Sequence, residues 1–478
     1  MSAAAALVVA ATLAGCGGTT YFAGRNLPPS GLTNRVMIAV QNPSALSKGS
    51  LQFVDAYYDI RGGFNGKPVA FSISGYSGAL PSTIQNMPEE QIGQVYGSGD
   101  GSYYTISYAK ENTGAATSGL SGLSSSIFIT RTGSYAFAAS QSAHYLTVID
   151  NVAGGAYPLS LPGVYRVSVN PGGSMALAFV QNSNYAYYPI KLTSAQSINY
   201  SGGPTTWPKA AVDCEPQSAP LWCLFQAQSP DSVDATGNYY GAPLTFDRPV
   251  KAVFSTDGST AYVLNCGPEC GGTASSVSIL PVAPMIFLVG RGSGMLPTTA
   301  ALASAKIAVP GGASNALVDS STMYVVGQKR QQINGDTLFA GNLTVLNLSS
   351  NTAGSPIAIS DGLPGAPSRM LEADNNTLWI GMTKCNNGVR AATGLPYGCL
   401  TMFNTSTNSV TLLPYLGDAT GIAAVTGLNK IYTAEGGQVY IYTTTDGTAL
   451  DNQFVTVTGT AYDVAYMDAT TDANNTVY

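Results

Sequence analysis

A chain of 478 residues with 45% hydrophobic residues can bury a large core, either as one repeat fold or as several ordinary domains. Only 10% of residues are charged, where an average soluble domain has about 25%, and 54 glycines and 27 prolines favour short strands and turns over long helices. A net charge of −6 and the lack of any basic stripe exclude a phosphate-backbone partner such as nucleic acid.

The first feature in chain order is a nearly unbroken apolar run from Ala3 to Ala14. It is too short to span a bilayer and fits the hydrophobic region of a signal peptide. The run ends in Leu13-Ala14-Gly15-Cys16, which resembles the lipobox of bacterial lipoproteins. That resemblance implies that residues 1–15 are removed and that Cys16 becomes the diacylated first residue. One departure is that no Lys or Arg precedes the apolar run. Residues 16–33 carry Pro28-Pro29 and Ser30-Gly31 and are expected to form a flexible tether. The expected location is an exported, membrane-anchored one, facing the periplasm or the cell surface, with the outer membrane favoured.

From residue 34 onward one theme recurs: a short β-type run, a polar turn, and a second β run that often carries Tyr. It is clearest in Val250–Leu264 around Asp257-Gly258, in Ser126–Ala138 around Gly133, and in Tyr165–Phe179 around Gly172. Further copies span Gln91–Tyr108, Asn315–Val326, Arg369–Ile380, Gly421–Tyr432 and Tyr462–Tyr478. Each reads as a β-hairpin. A third run often follows, as in His144–Asp150 and Gln438–Tyr442, and sometimes a fourth, as in Ser409–Leu413. Four strands per unit, repeated every 40 to 60 residues or so, predict an all-β propeller of four-stranded antiparallel blades. The expected count is seven blades, with eight as the alternative. Val36–Val40, Leu51–Ala56 and Val69–Ser74 read as later strands of one blade. The terminal hairpin would supply its inner strands and close the ring.

Phe254-Ser-Thr-Asp257-Gly258-Ser and Val148-Ile149-Asp150 resemble the repeat of surface-layer and lactonase-like propellers of the YVTN type. The resemblance covers most of Val36–Tyr478 and implies a single propeller over 34–478. Insertions interrupt it at about 192–247 and 284–312. Within the second, Met285–Val289 reads as a buried strand.

Besides Cys16, six cysteines form close pairs: Cys214 with Cys223, Cys266 with Cys270, and Cys385 with Cys399. In an oxidising compartment these predict three local disulfides. With one histidine, His144, and no partner for Cys266-Gly-Pro-Glu-Cys270, no metal or cofactor site is legible. No catalytic residue is assigned, because neither a nucleophile elbow nor a phosphate loop is present. The favoured expectation is a non-catalytic propeller that binds a protein or glycan through an exposed aromatic region: Tyr185, Tyr187, Tyr188, Trp207, Trp222, Tyr239 and Tyr240. The alternatives are a lactonase-like hydrolase of a sugar-derived substrate in the central channel, and a structural subunit of an envelope assembly. The lipid would supply contact with the membrane.

Overall fold

The computed structural model describes residues 24–59, 71–117, 120, 122–208, 211–228, 232–233, 239–287, 305–333, 336–362, 365–385, 397–414 and 416–472. The described strands form eight antiparallel sheets around an axis, plus a two-stranded hairpin, Ser232–Val233 with Tyr239–Tyr240. Each blade runs outward from an innermost strand. For blades two to eight these are Pro81–Met87, Ser126–Ile129, Val164–Val169, Pro249–Phe254, Asn315–Asp319, Ala366–Ala373 and Ala419–Val425. The innermost strand of blade one is Thr460–Tyr466, from the far end of the chain. It pairs antiparallel with Arg35–Gln41. Among the described residues the C-terminal segment gives this sheet one strand and the N-terminal segment gives three, and residues 473–478 of the expected terminal hairpin lie outside the described residues.

Eight blades, not seven, close the ring. The strand that defeats pattern reading is Pro81–Met87, whose sequence Pro-Ser-Thr-Ile-Gln-Asn-Met lacks apolar alternation. Its polar side chains are consumed by neighbouring blades. Gln85 accepts from Ile129 N at 2.9 Å and Asn86 donates to Tyr466 O at 2.9 Å. Hydrogen bonds replace apolar contact there, so the strand is buried without looking hydrophobic.

The core is divided among the blade interfaces. In Arg35–Gln41, Val36, Ile38 and Val40 pack toward blade eight, while Met37 and Ala39 pack toward blade two. A strand sandwiched between two blades is apolar on both faces, so it reads as a continuous hydrophobic run. Blade four is widened to five strands by Trp222–Gln226 and Ala211–Glu215, both from the first insertion. In the second insertion, Met285 and Phe287 are buried, but Ala283–Met285 is a short 3-10 turn rather than a strand. Pro284 at the start of that turn has no N–H to offer a ladder. Val289 lies outside the described residues.

The described part of the expected tether, residues 24–33, lies against the ring. Arg25 donates to Pro88 O at 2.6 Å and Ala469 O at 2.9 Å, and Ser30 N donates to Glu111 Oε2 at 3.0 Å. Cys16 and residues 1–15 lie outside the described residues. Among those described, no helix is long and apolar enough to cross a membrane.

Candidate functional site

The innermost strands begin at one mouth of the channel, and most begin with an irregularity. In six blades the register shifts at the second or third strand residue, between Pro81 and Thr83, Val164 and Arg166, Pro249 and Lys251, Pro367 and Arg369, Ala419 and Gly421, and at Tyr462 beside Asp463. A bulge of this kind turns the strand and re-aims the next side chain. Thr83, Arg166, Lys251, Arg369, Gly421 and Asp463 thus hold equivalent positions in their blades. Thr83, Arg166, Lys251 and Arg369 line a cavity of about 1000 Å³, together with Asn315 of blade six and several Ser and Thr side chains.

Blade eight offers glycine at this position, and that absence of a side chain has a consequence. A Cβ on Gly421 would stand 2.6 Å from Asp463 Oδ1 and 2.8 Å from Val464 N. With glycine there, Arg369 of blade seven reaches past blade eight. Its Nε donates to Thr420 O at 2.9 Å and its Nη2 lies 3.4 Å from Asp463 Oδ2. Asp463 also accepts from Ile84 N of blade two at 2.9 Å. Burial pushes the Asp463 carboxyl upward against the opposing pull of Arg369.

Lys251 has a different setting. Its Nζ donates to Asn315 Oδ1 at 2.8 Å. Asn315 Nδ2 in turn donates to Ser368 O at 3.0 Å, which fixes the amide orientation. Among the described residues no carboxylate lies within ion-pair distance of Lys251 or Arg166. Burial, with the charges of Arg166 and Arg369, brings the Lys251 ammonium down to about 7.

Two disulfides frame the mouth. Cys266–Cys270 closes the loop that carries Glu269, whose Oε2 accepts from Gln328 N at 2.9 Å. Burial pushes the Glu269 carboxyl up to about 7 against the pull of Lys384. Lys384 stands beside Cys385, which is bonded to Cys399. Cys385, Cys399 and Asp418 are close enough to suggest a metal site, but the two sulfurs are joined to each other and are not free thiolates. Cys214–Cys223 pins adjacent outer strands of blade four. All three predicted cysteine pairs are therefore bonded.

Among the described side chains the expected aromatic residues are not fully exposed. Trp222 is fully buried, and Trp207, Tyr187 and Tyr188 are half-buried against the same core cluster. Tyr188 stacks on Phe225 with ring centroids 5.8 Å apart. Tyr185 is also half-buried. Tyr239 and Tyr240 sit in the small hairpin, where only their backbone is described. The physical reason for Trp222 is that the insertion adds its strand to blade four, so the indole fills the space between blades three and four. His144 occupies an exposed turn with φ +64°.

The lumen residues escaped sequence reading, although a signal existed. Ser126, Arg166, Lys251 and Arg369 each stand seven positions before a left-handed turn residue, respectively Gly133, Gly173, Gly258 and Asn376. Aligning the repeats on that turn would have brought three cations into one column.

The ring and its polar lumen define an eight-bladed β-propeller with a cation-rich axial cavity. No protein-family model matches the sequence, and no curated protein sequence matches it. Solved propellers do match. The dihydro-heme d1 dehydrogenase NirN is 10% identical, with TM-score 0.48, over 91% of this chain and 76% of that one. The periplasmic gluconolactonase PpgL of Pseudomonas aeruginosa is 12% identical, with TM-score 0.44, over 91% and 98%. A 6-phosphogluconolactonase-like protein of Bacteroides uniformis is 10% identical, with TM-score 0.42, over 79% and 94%. The activities in those names belong to those proteins.

Proposed function

We propose that the lumen binds an anionic, hydroxyl-rich small molecule of the sugar-acid class. The observation that carries this reading is the unequal charge of the inner ring. Arg166, Lys251 and Arg369 line one cavity, Asp463 is engaged by Arg369, and no carboxylate among the described residues pairs with the other two cations. Guanidinium groups suit a carboxylate, and Ser82, Ser126, Ser314 and Asn315 supply hydroxyl-matching partners. Calorimetric titration with gluconate and glucuronate against glucose is the test. Saturable binding of the acids, lost in Arg166→Gln, is expected. Equal binding of glucose, or no binding by either acid, removes the reading.

A second reading, hydrolysis of the corresponding lactone, is favoured by Lys251 and Glu269, two cavity groups that both titrate near neutrality. Gluconolactone opening followed in a pH-stat, compared with Glu269→Gln, decides between binding alone and turnover. The proposal also places the protein outside the cytoplasm on a lipid at Cys16, in keeping with its three disulfides. Radiolabelled palmitate that enters the wild type but not Cys16→Ala would support this. Equal labelling would refute it.

A further inference from the structure

A lysine in a cavity usually serves as a point charge and carries a proton. Lys251 is set up otherwise. It lines the cavity, has no carboxylate partner among the described residues, and shares the lumen with two guanidinium groups whose positive charge opposes its own. Among the described residues its one hydrogen bond runs to Asn315 Oδ1 at 2.8 Å, and that amide is locked by its own bond to Ser368 O. An amine that donates to a fixed acceptor keeps its lone pair directed elsewhere. Arg166, the guanidinium with no carboxylate partner among the described residues, would grip a carboxylate placed near the amine.

We propose that Lys251 is a nucleophile that captures the carbonyl carbon of a small anionic aldehyde or ketone, with Arg166 holding the carboxylate. This rests on the anion-binding reading above and names the reactive group within that site. The neutral Nζ lone pair adds to the carbonyl carbon, and the carbonyl π pair moves onto oxygen. That oxygen takes two protons, equal in number to those nitrogen gives up, and leaves as water. The product is a carbon–nitrogen double bond, an imine between Lys251 and the ligand. Nothing is oxidised or reduced. Desolvation and neighbouring cations are recognised means of activating a lysine in this way. With its titration near 7, about half of Lys251 carries no proton at neutral pH, whereas for an ordinary lysine that fraction is roughly one in three thousand. The charged groups that bear on the amine are Arg166 from blade four and Arg369 from blade seven, while Asn315 from blade six is neutral.

The test treats the folded protein at pH 7 with glyoxylate and sodium cyanoborohydride, which reduces an imine to a stable carboxymethyl-amine. Peptide mapping by mass spectrometry reads the site, and calorimetry reads glyoxylate binding in parallel. The expected result is modification concentrated on Lys251, at least about tenfold above any other lysine given its larger share of free amine. Lys251→Arg puts in place of the amine a guanidinium that forms no imine under these conditions, and should lose the dominant adduct, while Arg166→Gln should lose glyoxylate binding and the adduct together. Saturable glyoxylate binding with no preference for Lys251 overturns the imine while leaving the anion site standing. No saturable binding by the wild type overturns both.

Discussion

Arg35 and Asp468, separated by 433 positions in the chain, meet in a two-pronged buried ion pair, with Nε to Oδ2 at 3.0 Å and Nη2 to Oδ1 at 2.7 Å. The Arg35 backbone N also donates to Asp468 Oδ2 at 2.7 Å, and Nη1 reaches Glu111 of blade two at 2.8 Å. Burial opposes the charge, but Asp468 and Glu111 outweigh it and hold the guanidinium above its ordinary value. The pair sits where the two ends of the chain join in one sheet and locks that closure.

Removing one partner leaves the other charge buried and alone. Arg35→Met is expected to cost about 3–5 kcal/mol. Guanidinium denaturation measures it, and a midpoint equal to wild type would show that the strand pairing alone closes the ring.

Gly421 is expected to tolerate no side chain. Gly421→Ala brings a Cβ against Asp463 Oδ1, Asp463 Cα and Val464 N. Overpacking of this kind costs about 1–3 kcal/mol. Adding Asp463→Ala should not rescue the variant, because two of the three contacts are backbone atoms. A rescue would mean that the carboxylate alone sets the constraint.

Lys251 makes stability depend on pH with a definite sign. Its folded value, about 7, lies below the unfolded value of 10.5. Between those values the unfolded chain binds more protons, so this group's contribution rises with pH, by up to about 1.4 kcal/mol per unit. Below 7 both states are protonated and the cost of the buried charge is fully present. Lys251→Met should therefore stabilise the protein more at pH 6 than at pH 10. A difference in unfolding free energy that stays flat across that range would show an ordinary ammonium.

Trp222 should behave as core. Its indole lies among Tyr135, Phe137 and Phe287, and its Nε1 donates to Asp150 Oδ2 at 3.1 Å. Asp150 also holds Lys191 at 2.6 Å. Trp222→Ala is expected to cost about 3–5 kcal/mol, read by thermal or chemical unfolding. Unchanged stability with lost ligand binding would instead return Trp222 to a recognition role.

The Cys266–Cys270 loop is short, so its bridge constrains little chain. Cys266→Ser with Cys270→Ser should cost about 2 kcal/mol and leave the far-ultraviolet circular dichroism unchanged. Collapse of the β signal would show that the loop does more than hold Glu269 at the mouth.

The sequence by itself determined the local plan. Hairpins such as Val250–Leu264 announce themselves because their turn residues and apolar strands are neighbours in the chain, and the cysteine pairs are close enough to find each other without tertiary help. Only the tertiary structure decided how many blades there are, since Pro81–Met87 satisfies its polar groups on blades one and three rather than within its own segment. Trp222 looks exposed until Trp222–Gln226 joins a sheet and buries it. The lumen is the extreme case: Arg166, Lys251, Arg369 and Asp463 come from four blades. The backbone irregularities that aim them and the desolvation that shifts Lys251 exist only when the ring is closed. Local propensity acts over a few residues, whereas charge, burial and strand closure act through space.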